Sequence, residues 1–184
     1  MDVKEVTKRL IKALKKAQVP YALTGGIAVN FYGFPRATHD VDVIVSLPKE
    51  KIHQPTSTLK EKNFEIIESE IEFVVEKGDR FTAQLNAYRV DFWLAKTGDQ
   101  ENVLERSQTQ KILELQTKII TPEDLIVSKL RSGRGRDHED MLGILIRQKE
   151  KLQEEYLTQR ATALKLRGKL KELMREARKI EKEK

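Results

Sequence analysis

The feature that most constrains this chain is the run His39-Asp40-Val41-Asp42-Val43-Ile44-Val45. Its period is two, so it predicts a β-strand with Val41, Val43 and Val45 on one face and Asp40, Asp42 and Ile44 on the other. Just upstream, residues 21–24 are short and apolar and run into Gly25-Gly26, which predicts a strand entering a tight turn. A helix restarts at residues 27–32 and ends at Gly33-Phe34-Pro35. Residues 88–94 alternate as cleanly: Tyr88, Val90, Phe92 and Leu94 point one way, Arg89, Asp91 and Trp93 the other.

The chemistry follows from the carboxylates. Asp40 and Asp42 lie two apart on one strand face, a few ångströms from each other, where they repel. A divalent cation relieves that repulsion, and Mg²⁺ prefers carboxylate oxygens shared with substrate phosphates. Asp91, flanked by core-facing Val90 and Phe92, supplies a third carboxylate if its strand lies beside the first. Each element alone has an ordinary reading as well: acids alternating with valines decorate many half-exposed strands, and Gly-Gly is a common turn.

Around this centre, apolar residues at Val3, Val6, Leu10, Ile11 and Leu14 predict a helix over residues 3–17, stopped by Pro20. Residues 48–63 read as helix and loop, and residues 64–67, 71–76 and 81–85 as short strands. After Gly98 the texture becomes helical. Thr121-Pro122-Glu123-Asp124 marks a helix start, with a capping Thr, Pro in the first turn and acids at the positive helix end. Ser132-Gly133-Arg134-Gly135 breaks that helix, and another begins at Arg136. Lys129, Arg131, Arg134 and Arg136 surround the two glycines as either a phosphate-facing loop or a solvated turn.

The order of the parts resembles the nucleotidyltransferase superfamily of DNA polymerase β. The residues that carry the resemblance are Gly25-Gly26, Asp40-Val41-Asp42 and Val90-Asp91-Phe92. The stretch Gly25-Gly26-Ile27-Ala28, Tyr32-Gly33 and Arg36-Ala37-Thr38-His39-Asp40 is similar to a small bacterial branch that includes AbiEii-type toxin transferases and lincosamide nucleotidyltransferases. Thr121 to Leu125, Lys129-Leu130, Arg136-Asp137 and Asp140 resemble later motifs of that branch. Many members have Gly-Ser at the turn, where the hydroxyl contacts phosphate; here Gly26 offers only backbone N–H groups.

The resemblance implies an α/β nucleotidyltransferase fold: a short mixed sheet with flanking helices, then a helical module and a long C-terminal helix. The expected divisions are a catalytic domain over residues 1–98, a helical module packed on it over 99–146, and a charged C-terminal helix over 147–184. It implies transfer of a nucleoside monophosphate from an NTP to an acceptor hydroxyl, with release of pyrophosphate. Asp40, Asp42 and Asp91 would be catalytic and would hold two Mg²⁺, or Mn²⁺, with Asp91 at the acceptor side as the candidate for its proton. Gly25, Gly26, Arg36, Thr38, Lys129 and Asp137 would bind nucleotide, Lys129 facing the triphosphate. The acceptor classes that fit are a small molecule such as an antibiotic, a tRNA end, a protein side chain or another nucleotide. Two other readings fit parts of the pattern: a non-catalytic or weakly catalytic partner such as the antitoxin of a toxin–antitoxin pair, and a metal-using glycosyltransferase.

Composition bounds the remainder. Charged residues make up 35% of the 184 and hydrophobic ones 39%, so part of the chain is all surface. Residues 1–146 carry 22 Lys/Arg and 22 Asp/Glu; residues 147–184 carry 13 and 7, the whole net charge of +6. With no cysteine, disulfides and Cys-ligated zinc are excluded, which suits a cytoplasmic protein. His39, His53 and His138 show no metal-ligand spacing. No stretch approaches a membrane span. Heptads read from Leu142 put Leu145, Leu152, Gln159, Leu166, Leu173 and Ile180 at d positions. That narrow stripe needs a helix to lie on, with a homodimer ahead of a fold-back and a partner protein as the alternative.

Overall fold

The computed structural model describes residues 1–183. Contacts divide the chain into two compact units, Met1–Ile27 with Ala37–Ile120, and Ala28–Arg36 with Thr121 onward.

The first unit is built on a mixed sheet. Its strands are β1 (Tyr21–Thr24), β2 (Asp40–Val45), β3 (Arg80–Leu85), β4 (Tyr88–Leu94), β5 (Gln108–Ile112) and β6 (Leu115–Ile119), in the order β3-β4-β2-β1-β6-β5. β2 runs parallel to β4 and β1 parallel to β6; the other neighbours are antiparallel. The register places Leu23 beside Val43, Val43 beside Phe92 and Phe92 beside Phe81. These four are buried, and the two phenyl rings stack at 4.5 Å. Helix α1 (Val3–Lys16) contributes Val6, Leu10, Ile11 and Leu14 to this core. Its start is capped by Asp2, whose carboxylate accepts the Glu5 N–H at 2.9 Å.

The first unit also holds α3 (His53–Glu61), α4 (Glu68–Lys77) and α5 (Gly98–Arg106). Residues 71–76, expected as a strand, lie within α4. Ile71, Val74 and Val75 stand at i, i+3 and i+4, and Glu68 and Glu70 occupy the first turn, so helical spacing wins over the β-branched run. Residues 64–67 contribute only a single bridge, Glu65 to Gln84.

The β5–β6 hairpin replaces helix expected after Gly98, and the sheet unit therefore extends to residue 120 rather than ending at 98. Its turn, Leu113-Glu114, holds both residues at positive φ, 50° and 68°. Turns of that hand normally announce themselves with Asn-Gly or Asp-Gly. Two ordinary side chains in the left-handed region leave no local sign.

The second unit is helical. It contains α2 (Gly25–Tyr32) from Ala28 onward, α6 (Pro122–Ser132), α7 (Gly135–Gln148), α8 (Glu154–Ala163) and α9 (Arg167–Lys182). α6 begins where its cap predicts: Thr121 accepts the Asp124 N–H, and Gly133 closes the other end at φ 62°. The carbonyls of Tyr32 and Gly33, at the end of α2, accept hydrogen bonds from Gln148 and Arg147 of α7.

The C-terminal region is two helices, not the expected single long one. Leu164 to Leu166 break it, with Lys165 at φ 59°. α9 turns back onto α7 and α8, burying Leu170, Leu173 and Ala177. Of the d-position stripe, Leu145 and Leu173 are buried within the chain, whereas Leu152, Leu166 and Ile180 are half-buried and Gln159 is exposed, so the fold-back uses part of it. Among the described residues, no helix is long and apolar enough to cross a membrane.

Candidate active site

Rows of side chains across the polar face of the sheet define the site. The central row is Thr82–Asp91–Asp42–Thr24, each residue the register partner of the next. Beside it lies Gln84–Arg89–Asp40, and on the other side Arg80–Trp93–Ile44–Ala22. Asp42 and Asp91 are therefore directly opposed on parallel strands, which neighbour at about 4.8 Å.

Each carboxylate has its own partners. Asp91, 3% exposed, accepts from Thr82 Oγ1 at 2.8 Å and pairs with Arg89 Nη2 at 3.2 Å and Arg80 Nη1 at 3.5 Å. Asp40 accepts from Thr38 Oγ1 at 3.1 Å and lies 3.8 Å from Arg89 Nη2. Asp42 Oδ1 accepts the Trp93 indole N–H at 3.1 Å, and the Arg80 guanidinium lies over that indole at 4.9 Å. One arginine thus spans Asp40 and Asp91.

The strands adjoin as expected, but the three carboxylates do not converge to metal-ligand spacing. Among the described residues, the group of three His/Asp/Glu whose ligand atoms lie within 4.8 Å of one another is His53, Glu68 and Glu72. Each acid is instead engaged by its own donors: Asp91 by Thr82 and Arg80, Asp40 by Thr38 and Asp42 by Trp93, with Arg89 reaching both Asp40 and Asp91. The donor set remains three carboxylates on adjoining strands, oxygen ligands of the kind a hard divalent cation takes. Sequence reasoning missed Thr82, Arg80, Arg89 and Trp93 as site residues. The alternation of β4 already put Arg89 and Trp93 on the Asp91 face, whereas Thr82 emerges only from the β3–β4 register.

The glycine turn is packed against the acids. Gly25 has φ +55°, and a Cβ built on it would stand 1.9 Å from Asp42 Oδ2 and 2.7 Å from Asp42 Cβ. A Cβ at Gly26 would meet Thr38 Oγ1 at 2.4 Å. Backbone alone fits here, which leaves the first residues of α2 beside Asp42 and Thr38.

Arg36, Lys129 and Asp137 belong to the helical unit and form a second cluster there, together with Asp140. Lys129, buried, donates to Asp137 Oδ1 at 2.8 Å and to Asp140 Oδ2 at 2.7 Å. Arg36 holds Asp140 with two hydrogen bonds, at 2.7 and 2.8 Å. Asn30 fixes the Arg36 backbone from both sides. Asp137 also accepts from Ser132 and from the Arg134 N–H. Burial pushes both carboxyls up. Hydrogen bonds from Lys129 and Ser132 to Asp137, and from Arg36 and Lys129 to Asp140, outweigh it, so both sit below their ordinary value. The basic cluster read around the glycines therefore divides: Lys129 is buried in this network, while Arg131, Arg134 and Arg136 are exposed.

Residues 3–178 match the protein family described as nucleotidyl transferase of unknown function (DUF2204). Among solved structures, the fold is similar to the antibiotic-resistance factor ANT(2'')-Ia. Its solution structure matches at 16% identity over 94% of this chain and 97% of that one, with a TM-score of 0.64. Its crystal structure in complex with adenylyl-2''-tobramycin matches at 14% identity over 89% and 97%, TM-score 0.64. An antigenic nucleotidyltransferase-like protein from Paracoccidioides brasiliensis matches at 19% identity over 95% and 92%, TM-score 0.56. Identities this low establish a shared fold alone. No curated protein sequence matches the chain.

Proposed function

The chain belongs to this nucleotidyl transferase family, and from that premise we propose that it transfers a nucleoside monophosphate from an NTP to an acceptor hydroxyl. The acceptor oxygen bonds to the α-phosphorus, the bond from that phosphorus to the β-bridging oxygen breaks, and pyrophosphate leaves as the acceptor's proton passes to Asp91 and from there to solvent. The observation that carries this reading is the contact between the turn and the acids: a Cβ on Gly25 would fall 1.9 Å from the Asp42 carboxylate. The backbone amides that open α2 lie beside that acid, an arrangement suited to triphosphate next to metal-binding carboxylates.

In this reading the Gly25 and Gly26 amides bind the β- and γ-phosphates. Asp40, Asp42 and Asp91 hold the divalent metal, with Mg²⁺ or Mn²⁺ suited to an all-oxygen donor set. When bound, the metal neutralises charge on the attacking and leaving oxygens. Thr82 and Arg80 orient Asp91, and Thr38 ties Asp40 to the turn. In the helical unit, Arg36 is the candidate phosphate contact, since its side chain is 29% exposed against 9% for Lys129. Lys129 and Asp137 support it through Asp140. A non-catalytic partner role has one observation on its side: Arg89 already bridges Asp40 and Asp91.

The test uses Trp93, the single tryptophan of the chain, which reports on Asp42. Titration with each NTP should change its emission and raise the melting temperature only with Mg²⁺ or Mn²⁺ present. Saturation at 100 times Kd adds about 2.7 kcal/mol of stability. Asp42→Asn should abolish the metal-dependent response. A nucleotide response that ignores metal, or survives in that variant, would overturn the assignment and favour the binding-partner role.

A further inference from the structure

The net charge of this protein has a structural address. The sheet-bearing part of the sequence is balanced, and the excess lies beyond residue 146. Within the helical unit, α9 gathers it on one side: Arg167, Lys171, Arg175, Arg178, Lys179 and Lys182 line a shallow groove of about 620 Å³. No carboxylate lines it, and its floor is Leu170 and Met174, with Thr158 of α8 at the edge. All six cations are exposed. Arg178 lies 3.7 Å from Glu154 and Lys179 4.0 Å from Glu183; Arg167, Lys171, Arg175 and Lys182 have no carboxylate partner among the described residues.

Spacing and chemistry select the partner. Residues 167, 171, 175, 178/179 and 182 recur every three or four positions, so they form a line with cations roughly 6 Å apart along the axis. A membrane surface is a poor occupant, because the apolar side of α9 that would insert, Leu170, Leu173 and Ala177, is buried within the chain. A second copy would bring like charge against like charge. A protein partner normally anchors on exposed aromatics, and protein interfaces are depleted in Lys; this groove has three lysines and no aromatic residue. The missing aromatics also disfavour a single strand, whose bases need stacking platforms. A regular line of mobile cations fits a regular line of phosphates.

We propose that the α9 groove binds the phosphate backbone of a nucleic-acid double helix. This surface is distinct from the carboxylate site, and the proposal stands whether or not that site transfers nucleotides. The measurement is fluorescence anisotropy of the full chain with a labelled RNA duplex and with a DNA duplex of the same sequence, between 50 and 200 mM salt. Wild type should bind both, or RNA alone if the A-form groove is preferred, with affinity falling steeply as salt rises. The triple variant Arg167→Glu, Lys171→Glu, Arg175→Glu should lose at least tenfold at low salt, and its log–log salt slope should flatten by about 3, one per lost phosphate contact. All three side chains are exposed, so circular dichroism and melting temperature should hold. A second variant, Lys4→Glu, Lys12→Glu, Lys111→Glu, makes the same charge change on exposed residues of the sheet unit and should bind nearly as wild type. The proposal is overturned if wild type fails to bind at 50 mM salt. It is also overturned if both triple variants lose equally, or if an acidic peptide displaces the duplex at matched charge, which would mark the groove as a site for an acidic protein.

Discussion

Replacing Gly25 by Ala should damage this protein more than any other glycine-to-alanine change in the sheet unit, and the size follows from the geometry. The added methyl has two separate penalties. Gly25 sits at φ +55°, where a side chain costs about 1–2 kcal/mol. The new Cβ would also lie 1.9 Å from Asp42 Oδ2, 2.6 Å from Cγ and 2.7 Å from Cβ. Rotating the carboxylate clears the first contact and not the third, so β2 or the turn must shift, at about 1–3 kcal/mol for overpacking. The total is about 2–5 kcal/mol, or a loss of roughly 4–20 °C in melting temperature for a domain this size. Gly26→Ala should cost less, since its nearest neighbour is the Thr38 hydroxyl at 2.4 Å, and Thr38→Ala in the same chain should recover part of the loss. Gly98→Ala meets nothing within 4 Å and serves as the control. Differential scanning fluorimetry on the four variants gives the ranking. Equal melting temperatures for Gly25→Ala and Gly98→Ala would show that the turn does not rest on Asp42.

Two further outcomes concern the buried network of the helical unit. Lys129→Met should destabilise the protein by about 3 kcal/mol, the lower end for breaking a buried pair, because Arg36 still holds Asp140 and Ser132 still holds Asp137. A fall in urea midpoint without change in slope is the signature, and an unchanged midpoint would refute the network. Because the folded values of Asp137 and Asp140 lie below their ordinary 3.8, their contribution is complete above that pH and is lost as pH falls through the folded values. Urea unfolding from pH 7 to pH 2.5 should therefore show an acid limb that Asp137→Asn with Asp140→Asn flattens; an identical limb in that double variant would place the acid sensitivity elsewhere.

What was legible in the sequence was whatever repeats locally. Strict alternation in residues 40–45 and 88–94 assigns the faces of β2 and β4, and with them the acids, independently of strand pairing. The Thr-Pro-Glu-Asp start located α6 to the residue. What escaped depends on backbone states without a sequence marker, or on register. Leu113, Glu114 and Lys165 all occupy the left-handed region where Gly or Asn would signal a turn, so the sequence at the β5–β6 hairpin and at the break between α8 and α9 carries no turn marker and fits helix. Residues 71–76 show a related ambiguity, since a short apolar run fits either a strand or one side of a helix. Thr82 and Arg80 become site residues only through the pairing of β3 with β4; Arg89 shares the Asp91 face by alternation, and its reach to two acids on different strands comes from the fold.

The same register explains why the candidate site and the core cannot vary independently. Asp42 lies between Val41 and Val43, both fully buried, and Asp91 between Val90 and Phe92, also buried. A slip of one residue in either strand would carry its acid into the core and a valine or phenylalanine onto the polar face. The stacked rings of Phe81 and Phe92, with Val43 and Leu23 in the same row, oppose such a slip. The row opposite them is Thr82, Asp91, Asp42 and Thr24, so apolar packing on one side of the sheet holds the carboxylates in line on the other. Half of that site is also close in sequence: Thr24 pairs with Asp42, and the next residue is the glycine whose backbone touches that acid. Only Asp91 arrives from a distant strand, and it is the most deeply buried of the three acids, held by Thr82, Arg80 and Arg89. The acid with the longest loop to close is thus fixed by donors from its own strand, Arg89, and from the neighbouring β3, Thr82 and Arg80.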